Sequence, residues 1–157
     1  MALATVTPPW VYILQLPQDP RGPGIARATL RTVLAVHGMR DVIDTAELLA
    51  GELVTNAYRY STGPYSLRLR GAGRNRVWVG VWDSNPVIPE PFAGGVGGGA
   101  MNEPCALAER GRGLQLVREC AESWGAYPIR GGLPGQGGKV LWAECVGKPE
   151  CQWSGLS

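Results

Sequence analysis

Histidine, lysine and long apolar runs are all scarce in this chain, and each shortage removes a class of function. His37 is the only histidine in 157 residues; it has no ligand or catalytic partner beside it and reads as a helix-end residue. Cys105, Cys120, Cys145 and Cys151 show no CxxC spacing. With no export signal, they are expected to be free thiols of a cytoplasmic protein, and neither a zinc site nor a disulfide framework. Lysine occurs only at Lys139 and Lys148, so the net charge of +2 rests on arginines scattered through the chain. No basic run offers a face to nucleic acid. No apolar run reaches the roughly 20 residues of a membrane span. The N-terminal MALATVTPPWVYILQLP lacks a basic leader and is interrupted by Pro8 and Pro9, so neither export nor a membrane partner is expected.

What is present describes one globular domain with permissive loops: 45% hydrophobic and 18% charged residues, with 23 glycines and 13 prolines. A chain of this length can bury a sizeable core. Residues 10–146 are assigned to a single domain, with 1–9 and 147–157 as tails. WVYILQL at Trp10–Leu16 is β-branched and aromatic and stops at Pro17, which predicts a strand. A helical period follows from Ile25 to Val36 and closes at Gly38. The next helix is capped by Asp41 or Asp44 and is stopped by Gly63 and Pro64.

Tyr65–Arg70 alternates Leu67 and Leu69 with Arg68 and Arg70, the pattern of a strand with one wet face. In Arg76–Asp83 the valines Val77, Val79 and Val81 share a face with Asp83, and Trp78, Gly80 and Trp82 take the other. The tryptophans with Arg68 and Arg70 make a surface suited to a second copy of the chain or a protein partner, or they cover their own sheet. Residues 84–104 hold Pro86, Pro89, Pro91 and Pro104 and a glycine run, with little to pack, which has the character of a lid or a disordered segment. A helix then carries Leu114, Leu116, Val117 and Cys120 or Ala121 on one stripe. Two strands, Gly125–Ile129 and Lys139–Val146, are joined by a glycine-rich connection. The order β, α, α, β, β, lid, α, β, β gives a two-layer α/β sandwich, a largely antiparallel mixed sheet with helices on one face.

Three features carry chemistry. In ELLAGELVTNAYRYS, Glu52, Asn56 and Arg59 fall at i, i+4 and i+7 and share one helix face, beside an apolar face of Ala46, Ala50, Leu53 and Ala57. Asp83 ends an apolar strand face, where a buried acid needs a hydrogen-bond donor. Gly111 and Gly113 flank Arg112 where a helix begins, and backbone N–H groups at a helix start attract phosphate. Singly each has a plain alternative: a solvated helix face, a turn acid, a linker. In this order they point to nucleotide binding, with Asn56 able to join a magnesium ion that keeps waters and phosphates as its other ligands. Glu52 is placed to take a proton from an attacking hydroxyl or water.

These motifs resemble the GHKL, or Bergerat-fold, ATP-binding superfamily, and within it the bacterial anti-sigma factor serine/threonine kinases and their single-domain relatives. The likeness spans roughly residues 10–146. ELVTNA is similar to the N box, which implies Glu52 as general base and Asn56 as magnesium ligand, with Arg59 near the phosphates. WDSNP is similar to the G1 box, in which Asp83 would accept a hydrogen bond from the adenine amino group. ERGRGLQLV is similar to the G2 box, so Gly111, Arg112, Gly113 and Leu114 would flank the triphosphate. GGKVLW lies where the last box falls, with Val140 at a position commonly held by threonine. The resemblance implies ATP and magnesium as cofactors, and a sigma factor and a STAS-type anti-anti-sigma protein as partners, the latter phosphorylated on Ser or Thr. The alternative is a regulatory module that sequesters a partner without transferring phosphate.

Overall fold

Strand alternation determines which side chains meet the helices. The computed structural model describes residues 9–93, 112–131 and 137–147. Its elements run β1 (Val11–Leu16), α1 (Gly22–Val36), α2 (Ile43–Tyr60), β2 (Tyr65–Gly71), β3 (Arg76–Asp83), α3 (Arg112–Cys120), β4 (Ser123–Ile129) and β5 (Gly138–Val146). The strands form one five-stranded sheet in the order β1-β2-β3-β5-β4. Leu67, Leu69, Val77, Val79, Val81, Leu141, Ala143 and Cys145 are buried with Leu30, Leu34, Leu49, Leu53, Val54 and Val117 of the helices. The alternate residues Arg70, Trp78, Trp82 and Trp142 of the opposite sheet face retain exposure. Among the described residues the fold is therefore α/β, with three helices and a five-stranded sheet.

Every pairing in this sheet is antiparallel, which corrects the mixed sheet expected above. The connections supply the reason. Two helical passes, α1 and α2, separate β1 from β2, so the chain returns to the sheet running the opposite way. The α3 crossover brings β4 in parallel to β3, but β5 inserts between them, and β3 and β4 never pair.

Helix ends follow local chemistry. Gly38 closes α1 as expected: at φ 71° it gives its N–H to the Ala35 carbonyl, and Met39 gives its own to Leu34. These two bonds satisfy carbonyls that the helix end would orphan. The expected cap on α2 by Asp41 or Asp44 is not formed. A 3-10 turn, Arg40–Val42, leads into the helix, Val42 holds the N-cap position, and no side-chain cap bond is made. Val42 is buried in the core, and that anchor fixes the entry. Asp44 points to solvent, 3.9 Å from Arg31. At the other end, Gln18 donates to the carbonyls of Tyr58 and Ser61, and Asn85 to that of Tyr60.

The segment after β3 packs more than its composition suggests. Glu90–Phe92 forms a 3-10 turn, and Phe92 is buried 5.1 Å from the Trp124 ring. Residues 94–104, with the glycine run, lie outside the described residues. The stripe on α3 resolves to Leu114, Val117 and Ala121, all buried, while Leu116 is half-buried and Cys120 exposed. Among the described residues no helix is long and apolar enough to cross a membrane.

Two measurements follow from this packing. Leu53 is fully buried, so Leu53→Ala should lower unfolding free energy by about 2 to 5 kcal/mol in a denaturant titration. Cys120 and Cys145 both carry free thiols, but burial, and secondarily the Glu144 charge, push the Cys145 thiol up to about 12. Alkylation needs the thiolate. At pH 8, peptide mapping should find Cys120 modified and Cys145 unmodified until the protein is unfolded.

Candidate functional site

The site is organised by α2, whose small residues let it approach its neighbours closely. Ala46, Ala50 and Ala57 are buried, and α2 packs against α1, α3 and β3. The polar stripe along it is not a uniformly wet surface. Glu52 is half-buried, Asn56 is 8% exposed, and Arg59, in the last turn, is exposed. The Asn56 carboxamide, in a residue 8% exposed, makes no side-chain hydrogen bond to another described residue. An amide so placed is available to a ligand. A buried amide with no partner would otherwise cost about 1 to 3 kcal/mol.

Glu52 and Gly113 are brought together across the α2–α3 contact. A Cβ at position 113 would lie 3.0 Å from the Glu52 carboxyl carbon and would overlap its Oε2 outright. Glycine lets the first turn of α3 close onto the carboxylate in this position; a side chain here would make the Glu52 carboxylate shift. Leu114, which follows, is buried in the core, so its side chain anchors α3 and only its backbone belongs to the site. Arg112 opens α3. Gly111 and the Arg112 side chain lie outside the described residues.

Asp83 ends β3 facing the helix layer, as the alternation predicts, and is 2% exposed. Its partner is one that sequence reasoning missed. Lys139, 1% exposed, stands directly across the β3–β5 ladder and donates from Nζ to Asp83 Oδ1 at 2.9 Å and to the Asn85 carbonyl at 2.8 Å. The Asn85 N–H gives a second bond to the same Oδ1, at 2.8 Å. Gly138 permits this approach: at φ 149° its α-carbon lies against the Asp83 carbonyl, where a Cβ would overlap the oxygen.

A signal for Lys139 was available. In KVLWAECV, Lys139 alternates onto the face of Leu141, Ala143 and Cys145, and a lysine on an apolar face needs an acid opposite it. The same alternation places Val140. It pairs with Trp82 on the other face of the sheet, so it does not stand beside Asp83. On that outer face Arg70 lies 4.7 Å over the Trp78 ring. Trp78 stacks on Trp142, and the two indoles cover Gly80 and Gly125.

No group of three or more His, Cys, Asp or Glu residues among those described could hold a metal ion. Any cation here would take Asn56, with Glu52 one turn away, and complete its shell from water and ligand oxygens. Compared with models of known protein families and with characterised proteins, the sequence matches none.

The Asp83–Lys139 pair gives a stability prediction. Removing one partner strands a buried charge, which costs about 3 to 5 kcal/mol, whereas replacing both by apolar or neutral groups costs far less. Asp83→Asn and Lys139→Met should each destabilise strongly, and the double variant by less than their sum. Thermal or urea unfolding of the four proteins measures that coupling.

Proposed function

We propose that the chain is an ATP-dependent protein kinase of the anti-sigma type, a member of the Bergerat-fold group its motifs resemble. The observation that carries this reading is the meeting of Glu52 with the Gly113 turn of α3, with the open Asn56 carboxamide one turn further along α2. A base, a cation ligand and a glycine at a helix start are the parts that phosphoryl transfer requires. Asp83, turned inward with one oxygen free of hydrogen bonds to described residues, suits an adenine amino group.

ATP is the substrate that donates the phosphoryl group. The first turn of α3 faces its phosphates with backbone N–H groups, a favourable environment for negative charge. Asn56 would hold magnesium, which when bound offsets charge on the phosphates. Glu52 accepts the proton of a serine or threonine hydroxyl on the partner protein. A bond forms from that oxygen to the γ-phosphorus as the bond from the γ-phosphorus to the bridging oxygen breaks, and ADP departs. Arg59, exposed at the end of α2, is within the same face to steady the phosphates. The partners belong to the resemblance: a STAS-type anti-anti-sigma protein as phosphoacceptor and a sigma factor as the protein sequestered.

A second reading, sequestration without transfer, has an observation of its own. The Asp83–Lys139 pair occupies much of the hydrogen-bonding capacity that a base would use. That module either binds nucleotide or works without it: calorimetry with ATP and ADP showing no heat at millimolar nucleotide would leave only the sequestering role, and heat without phosphate transfer would leave a nucleotide-binding sequestering module.

For the kinase reading, the protein is incubated with magnesium ATP and its cognate antagonist. Glu52→Ala should lower phosphate transfer by roughly a hundredfold to ten-thousandfold, with ADP affinity within about threefold of wild type. Transfer unchanged by the substitution would remove Glu52 from the mechanism.

A further inference from the structure

Asp83 does not present a free carboxylate fork. Oδ1 accepts both the Asn85 N–H at 2.8 Å and Lys139 Nζ at 2.9 Å, and two donors use the two acceptor positions of a carboxylate oxygen. Oδ2 makes no hydrogen bond to a described residue. Among the described residues, the carboxylate is thus engaged at Oδ1 and unengaged at Oδ2.

The arrangement is held from several sides. Lys139 Nζ also donates to the Asn85 carbonyl at 2.8 Å, so one ammonium ties the Asp83 side chain to the backbone two residues later. Asn85 is fixed in turn, its Nδ2 donating to the Tyr60 carbonyl at 2.9 Å and its Oδ1 accepting from the Val87 N–H at 3.0 Å. Close contact of Gly138 with the Asp83 carbonyl keeps β5 against the end of β3. Rotation of the carboxylate to offer both oxygens would break the bonds from Lys139 and Asn85 together.

We propose that Lys139 sets which purine the site accepts, by occupying one oxygen of Asp83 and leaving the other to read a single amino group. This inference rests on the nucleotide reading above. Guanine presents two parallel N–H donors, at N1 and N2, which match a carboxylate with both oxygens free. Adenine presents one amino donor at that edge and needs one acceptor. A carboxylate whose Oδ1 is saturated fits the second pattern and leaves a guanine donor unpaired, and unpaired polar groups are what a hydrogen-bonding site rejects. Lys139 acts through Asp83 and is a positioning residue.

The test compares ATP and GTP binding by calorimetry at one salt and magnesium concentration, for wild type, Lys139→Met and Lys139→Gln. Wild type should prefer ATP by at least about tenfold. Lys139→Met, which opens one of the two acceptor positions of Oδ1 and leaves the Asn85 bond in place, should shrink that preference to about threefold or less, with folding checked by circular dichroism and the thermal midpoint. If that variant does not fold, Lys139→Gln, which removes the charge but retains an N–H donor, carries the comparison and should show a preference between those of wild type and an open fork. Equal weakening of both nucleotides, with the ratio intact, would assign Lys139 a structural role only and overturn the inference. Wild type binding both nucleotides without preference would overturn it as well, leaving the nucleotide reading in place. Wild type binding neither at millimolar concentration would overturn the nucleotide reading itself, and this inference with it.

Discussion

The fold depends on the close packing of α2 against the sheet. Leu53, Val54 and Ala57 are buried with Val77, Val79 and Val81 of β3, and the small residues Ala46 and Ala50 are buried with them. Close packing of this kind fills the layer without voids, which is where most of a domain's stability originates. It also fixes the rotation of α2 about its axis. Once Leu53 and Ala57 point into the core, Glu52 and Asn56 are carried to the border of that core, half-buried and buried respectively. The chemistry of the site is therefore a consequence of helix packing. A turn of the helix in either direction would sink Glu52 or expose Asn56.

The second constraint is electrostatic. An acid and a base, 2% and 1% exposed, sit opposite each other across β3 and β5. Taking two charges out of water is expensive, and a well-packed apolar pair would serve stability as well or better. The pair is instead embedded in hydrogen bonds to the Asn85 backbone, and Asn85 reaches the carbonyl end of α2. Through that chain of contacts the end of β3, the start of β5 and the end of α2 hold one another in register. An ion pair in this place specifies geometry more than it adds stability.

Much of this was legible in the sequence because two periodicities carry it. Period-two alternation placed Val77, Val79, Val81 and Asp83 on one face, and the helical period placed Ala46, Ala50, Leu53 and Ala57 on another; all are buried. The apolar stripe of α3 was half legible, since Leu116 and Cys120 share its period but packing selects Leu114, Val117 and Ala121. What was not legible depends on contacts between distant segments. Lys139 finds Asp83 only once β5 has inserted beside β3, and strand order is not written in local pattern. The same insertion makes the sheet wholly antiparallel. The contact of Glu52 with Gly113 is of this kind too: the glycine is visible as a glycine, but the carboxylate packed on it is 61 positions away in the chain.

Both ends of the candidate site meet charge from the protein's own side chains. At one end a carboxylate lies against the first turn of α3, where a helix presents roughly half a positive charge and where an incoming phosphate would otherwise find it unopposed. At the other, Lys139 neutralises Asp83. Among the described residues, the positive charge left for a polyphosphate is Arg59 and the helix start, which is less than the charge such a ligand brings. Coulomb interactions in a partly buried site are several times stronger than in water, so that imbalance is unfavourable unless the ligand arrives with its own cation. Asn56 lies next to the acid as a neutral oxygen donor with no competing hydrogen bond among the described residues. A neutral ligand residue adds no further negative charge to a site that already holds Glu52, and a charged one in its place would leave the acid less able to hold a proton-free carboxylate beside the reacting group. On the proposed reading, the carboxylate and the carboxamide on one helix face divide two tasks that a pair of carboxylates would set in conflict.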